Sequence, residues 1–169
     1  MIRFTKHYKT THYYLFLIFL LPIYTIAQCP NVPLSIIDGN TGFTIENPTP
    51  KDKLGYSVSD AGDINGDGID DIIIGAHSKD NGSITAAGEA YIIFGNPTFS
   101  LSSFDPQTLD GTNGFIVKGN TTDAKLGISV SKAGDVNNDG VDDILIGILK
   151  YDASGIGVAM IIYLSLIHI

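Results

Sequence analysis

The stretch GDINGDGIDDIIIGAH at residues 62–77 returns as GDVNNDGVDDILIGIL at residues 134–149, and the copying extends well beyond these windows. Sliding the chain by 72 residues aligns IDGNTGFTI with LDGTNGFIV and KLGYSVSDAGD with KLGISVSKAGD. Over residues 38–75, 22 of 38 positions are identical to their counterparts. A period of this length marks an array whose units bury a core by stacking on one another rather than alone. Within each copy the apolar runs are short, β-branched and closed by glycine, which is strand punctuation. A buried helix would need longer periodic runs without Gly75 and Gly95 in place. Four strands per unit are expected, in the first copy near residues 56–61, 72–76, 90–94 and 115–117, the fourth supplied by the start of the next repeat. Runs such as DIIIGA and AYIIFG suit strands covered on both faces, as when sheets stack blade on blade.

Ahead of the repeats, Arg3, Lys6 and Lys9 precede an apolar run over residues 13–27, with Thr25 and Ala27 small enough for cleavage, so residues 1–27 read as a secretory signal peptide. The run is shorter than the roughly 20 residues of a spanning helix, and Pro22 interrupts it, which weighs against a retained anchor. Residues 28–37 form a lead-in, 38–109 the first repeat and 110–164 a truncated second repeat. GEAYIIFG at 88–95 aligns with GVAMIIYL at 157–164, so Leu164 stands where the first copy ends its strand with glycine. LSLIHI resembles translated adaptor sequence, and residues 165–169 are read as a non-native tail rather than a short terminal strand. Cys29, the single cysteine, has no internal disulfide partner. It leaves pairing with another chain or lipid attachment, for which Gln28 stands where a small residue is wanted.

Without the leader the chain has 7 basic against 18 acidic residues, a net charge of −11. That balance excludes nucleic acid as a partner, because phosphate binding needs a basic surface. Eight of the 18 acids fall in two nine-residue windows, 63–71 and 135–143. A merely solubilising surface would scatter them; clustering asks for a cation.

LGYSVSDAGDINGDGIDDIIIGAH and LGISVSKAGDVNNDGVDDILIGIL resemble FG-GAP repeats, the blades of the β-propeller at the head of integrin α subunits and of many secreted bacterial proteins. Leu54-Gly55 and Leu126-Gly127 stand where the family often has Phe-Gly. Gly75-Ala76-His77 and Gly147-Ile148-Leu149 stand where it has Gly-Ala-Pro. The resemblance implies an all-β fold of four-stranded antiparallel blades, a partial β-propeller of about two blades where closure typically takes four to eight.

The aspartate windows follow D-x-N-x-D-G-x-x-D. Side-chain oxygens are expected from Asp63, Asn65, Asp67 and Asp71, with the backbone carbonyl of Ile69 between them; the second set is Asp135, Asn137, Asp139, Val141 and Asp143. Hard oxygen donors in a flexible ring suit Ca2+, and two structural calcium sites are expected. Gly68 and Gly140 serve the sharp turn. Asp70 and Asp142 are expected to face solvent or a neighbouring blade. An EF-hand would need a carboxylate at position 12, where Ile74 and Ile146 stand, and a dockerin meets the same objection. An aspartate-rich turn without metal is the remaining alternative.

No catalytic constellation accompanies these loops. His77 is the one histidine outside the leader and tail, and it reads as a solvent-facing loop residue. Asn81-Gly82-Ser83 and Asn120-Thr121-Thr122 match the glycosylation acceptor pattern. The resemblance implies a secreted or cell-surface, non-enzymatic propeller for adhesion or for recognition of an extracellular protein or glycan. A second subunit is expected if it is integrin-like, and membrane contact only through a segment or anchor outside this sequence. The alternative is the propeller part of a secreted hydrolase or phospholipase.

Overall fold

The computed structural model describes residues 33–98 and 102–164. The leader, the cysteine and the tail therefore lie outside the described residues. Among those described there is no α-helix, and none long and apolar enough to cross a membrane. The strands are β1 (Thr44–Ile45), β2 (Leu54–Gly62), β3 (Asp71–Ala76), β4 (Glu89–Ile93), β5 (Ser103–Phe104), β6 (Gly114–Lys118), β7 (Ser129–Gly134), β8 (Asp143–Ile148) and β9 (Val158–Ile162).

The first repeat forms an antiparallel sheet in the order β2-β3-β4-β6, so its fourth strand does come from the start of the second repeat. The β4–β6 register runs from Glu89↔Lys118 to Ile93↔Gly114. The second repeat forms the sheet β7-β8-β9, three strands among the described residues. Short β1 and β5 pair in parallel beside the first sheet. The register of β2 on β3 slips between Leu54 and Ser57 and again between Asp60 and Gly62, and β7 repeats the second slip between Lys132 and Gly134. Such bulges bend and twist the strand that carries them.

The unbroken apolar run of β3 has cover on both faces. On one, Ala61, Ile73, Ala90, Ile92 and Phe94 pack against Ile144, Ile146 and Ile148 of the second sheet. On the other, Ile74 and Ile93 pack with Phe104, Phe43, Ile45 and Leu54, so the β1 and β5 segments of the first repeat lie over that face. Burying a side chain of this size stabilises a fold by about 1.5–3 kcal/mol, which makes the stacked faces the main cohesive element.

The seam between the sheets is made by backbone. The Gly127 carbonyl accepts a hydrogen bond from Ser57 Oγ at 2.7 Å. A Cβ at Gly75 would lie 2.0 Å from that same carbonyl oxygen, so the chains approach closely only because position 75 has no side chain. The Leu-Gly turn of the second repeat thus seats on the Gly-Ala end of β3. The residues aligned with the family's two name-giving motifs are the two sides of one joint.

Candidate functional site

Both aspartate windows are the connections between the first strand of a sheet and its neighbour, β2 to β3 and β7 to β8, at one end of each sheet. They fold identically, bond for bond. Asp63 accepts the amides of Asp67 at 3.0 Å and Gly68 at 2.9 Å on its two oxygens. Asp135 does the same for Asp139 at 3.0 Å and Gly140 at 2.9 Å. Asn65 Oδ1 accepts from Asp67 N and its Nδ2 donates to Asp67 Oδ2; Asn137 treats Asp139 likewise. Asp67 Oδ1 takes the Ile69 amide at 2.8 Å, and Asp139 Oδ1 takes that of Val141 at 2.9 Å. Gly68 and Gly140 carry φ of +86° and +91°, the left-handed turn that the pattern requires.

Asp71 and Asp143 differ from the rest of their sets. Each is fully buried, and each clamps two backbone amides. Asp71 holds Ile64 N at 2.9 Å and Gly95 N at 2.7 Å, tying the start of the loop to the end of β4. Asp143 holds Val136 N at 2.9 Å and Leu164 N at 3.1 Å. Leu164, which breaks the sequence pattern, therefore fills the role of Gly95 with its backbone amide. Burial pushes the Asp71 carboxyl above its usual range; the amides of Gly95 and Ile64 pull it down, and the charges of Asp67 and Asp63 add to the push.

The structure thus links Asp63, Asn65, Asp67 and the Ile69 amide in one ring, with Asp71 beside it as a buried clamp. Self-repulsion is met in part by the loop's own amides. Among the described residues, no three His, Cys, Asp or Glu side chains are drawn together as a metal cage. The donor chemistry nevertheless fits a hard cation. Every group offered is oxygen, and a carboxylate that accepts two hydrogen bonds keeps further lone pairs.

Asp142 does face the neighbouring blade: it pairs with Lys132 at 2.6 Å, and the pair lies over Gly62 of β2. Asp142 first, then Asp60 and Asp70 of the first repeat, hold the lysine in its charged form. His77 is less exposed than expected. Its ring meets Tyr56 edge-on at 4.3 Å and Nδ1 lies 2.9 Å from Ser78 Oγ, while burial, with Lys125 and Lys53, lowers its basicity. Asn81 Nδ2 already donates to the Gly119 carbonyl, whereas Asn120 is exposed.

Sequence reasoning missed a buried polar group at the other end of the first sheet. The Tyr91 hydroxyl donates to Glu89 Oε2 at 2.5 Å, and Gln107 Nε2 donates to Tyr91 Oη at 2.6 Å. Asp52, also buried, takes Lys79 Nζ at 2.8 Å and Asn47 Nδ2 at 3.0 Å. Burial and then the Glu89 carboxylate push the Tyr91 hydroxyl far up, so it stays a donor. The aligned residues in the second repeat are Val158 and Met160, and that contrast is the only signal the sequence carried.

Comparison with known proteins agrees with this architecture. Residues 55–93 match the family model described as FG-GAP repeat. Integrin alpha-8 of Mus musculus is 33% identical over 122 residues, covering 68% of this chain and 10% of that protein. Integrin alpha-6 of Gallus gallus is 34% identical over 102 residues, covering 60% and 8%. Integrin alpha-PS5 of Drosophila melanogaster is 31% identical over 94 residues, covering 56% and 8%. The chain spans about a tenth of the length of these relatives. With two stacked antiparallel sheets, a duplicated aspartate loop and these matches, the chain is an FG-GAP repeat protein similar to integrin α chains.

Proposed function

We propose that this chain is an extracellular, calcium-stabilised propeller segment that serves adhesion or recognition of a protein or glycan, without catalysis of its own. The observation that carries the reading is the duplicated loop: two nine-residue rings of oxygen donors with the same hydrogen bonds, each at the same end of its sheet. Asp63, Asn65, Asp67 and the Ile69 carbonyl, with Asp71, would hold one ion, and Asp135, Asn137, Asp139, Val141 and Asp143 the other. The ion would supply structural cross-linking and charge neutralisation. The chain's own residues do the rest, with Asp71 and Asp143 fastening each loop to the end of its third strand.

The likeness to integrin α chains supports the adhesive reading and a surface location, and a second subunit as partner. With ligand on an outer surface, the loops would stiffen the blades that present it.

Calcium titration tests the metal. Extracellular oxygen-donor modules bind at roughly 10⁻⁴ to 10⁻³ M. At about 10 mM calcium each site should then contribute about 1.4–2.7 kcal/mol, a rise of several degrees in melting temperature. Asp67→Ala with Asp139→Ala should remove most of that rise. A parent whose melting temperature ignores calcium would overturn the assignment. Binding of the calcium-treated chain to immobilised matrix proteins and glycans tests the recognition role separately.

A further inference from the structure

Asn81-Gly82-Ser83 and Asn120-Thr121-Thr122 carry the acceptor pattern for an N-linked glycan, which Asn96-Pro97-Thr98 fails through its proline. The pattern ranks the two equally. The fold does not.

Asn81 is committed twice. Its backbone amide and carbonyl exchange hydrogen bonds of 3.0 Å with Ile84, closing a tight hairpin that has Gly82, at φ +62°, and Ser83 at its tip. So local a turn closes early, which withdraws Asn81 from the open chain that a modifying enzyme grips. Its side-chain Nδ2 donates to the Gly119 carbonyl at 3.0 Å. Gly119 is itself wedged against the connection between β3 and β4, since a Cβ there would stand 2.0 Å from the Ala87 carbonyl oxygen. A sugar on this nitrogen would displace the β6–β7 connection from its seat.

Asn120 has neither commitment. It is exposed between β6 and β7, and its Nδ2 makes no hydrogen bond among the described residues, its Oδ1 accepting only from Thr121 Oγ1. Thr122, whose hydroxyl completes the pattern, is exposed as well. The loop is also fastened late: Thr121 Oγ1 donates to the Tyr151 carbonyl, 30 residues further on. Nor does the exposure depend on where the sequence stops. The aligned position of the first copy, Pro48, leads into a complete four-stranded sheet with another stacked beyond it, and it too is exposed. Asn120 has the preceding sheet in place, so between them the two copies of this position meet both neighbours and stay open.

We propose that Asn120 is an N-glycosylation site and that Asn81 is not. A transferase of the secretory pathway would join Nδ2 to the anomeric carbon of a lipid-linked oligosaccharide. The new C–N bond replaces the C–O bond to the lipid pyrophosphate, which leaves with the bonding electron pair, and the amide gives up one proton. By antiparallel alternation the β6–β7 connection lies at the end of the sheets away from both aspartate loops. A bulky, solubilising glycan there covers one rim and leaves the loops bare. The inference rests on the extracellular reading for export of the chain, and on nothing about calcium or ligand.

Cell-free translation of the 169-residue chain with endoplasmic-reticulum microsomes tests it, in one arm with its own residues 1–27 and in another with these replaced by a proven cleavable leader. Protease protection shows which chains have entered. Protected chains should carry a single glycan that peptide N-glycosidase F removes. Asn120→Gln and Thr122→Ala should each abolish it, whereas Ser83→Ala, which leaves the Asn81 hydrogen bonds in place, should not change it. Protected chains without a glycan, a glycan that survives Thr122→Ala, or one that Ser83→Ala removes would each overturn the proposal. Protection in the second arm alone would overturn the extracellular reading instead, and the glycan on those chains would still decide Asn120.

Discussion

Gly75→Ala is expected to lower the melting temperature by about 10 °C, corresponding to about 3 kcal/mol. The added Cβ would stand 2.0 Å from the Gly127 carbonyl oxygen, 2.9 Å from its carbon and 2.3 Å from Ser57 Oγ. Ser57 could rotate, at the loss of its hydrogen bond to that carbonyl. The backbone of the second repeat cannot move without parting the apolar faces of the two sheets. Overpacking costs about 1–3 kcal/mol where neighbours can adjust, and this site belongs at the upper end. Gly147→Ala is the internal control. It is the aligned position in the second repeat, yet its Cβ would clash only with Ser129 Oγ, at 2.1 Å, and a rotamer change relieves that. Its expected cost to folding is under about 1 kcal/mol. Thermal unfolding of both variants checks the pair, and equal losses would mean that the joint does not depend on the glycine at 75.

That contrast also shows where the sequence was legible. The 72-residue period and the glycine-closed apolar runs gave four strands of the first sheet within about two residues, including the borrowed fourth strand, because repetition and strand punctuation are local signals. The joint was not legible. Gly75 and Gly127 look like ordinary strand and turn glycines until the two repeats are placed in space, where each proves to be the other's neighbour. Their alignment with the family's motifs marked them without giving the reason.

Polar burial was harder still. Glu89 and Tyr91 stand in a strand whose every residue is buried, and two-residue alternation does not tell a satisfied carboxylate from an exposed one. The partner that satisfies them, Gln107, lies in a short turn after β5 where no pattern points to it. Asp60 and Lys132 occupy the same repeat position with opposite charge, and only the stacked sheets show that this difference places a cation beside Asp142, Asp60 and Asp70. In the loops, spacing singled out Asp63, Asn65 and Asp67, which the structure links by hydrogen bonds, but it treated Asp71 and Asp143 as equal members of the ring. Their complete burial depends on the end of the third strand, 24 and 21 residues further on.

Asp71→Ala should therefore be among the most damaging single changes, at about 3 kcal/mol near neutral pH. It strands the amides of Ile64 and Gly95, and hydrogen bonds to a charged acceptor contribute about 1.5–3 kcal/mol each. Relief of the carboxylate's burial offsets part of that sum. The pH dependence has a definite sign. The folded carboxyl titrates above the ordinary aspartate value of 3.8, so between that value and the raised one the folded state holds the proton more often than the unfolded state. This contribution is fully present below 3.8 and is lost as pH rises through the window. In a chelator-containing buffer, the stability gap between parent and Asp71→Ala should accordingly narrow as pH rises from below 3.8 toward neutrality. Denaturant unfolding at a series of pH values measures it. A gap that widened instead would show a carboxylate favoured in its charged form, which is what a cation beside it would produce. The same titration repeated in calcium should thus reverse the slope if the loop holds the ion.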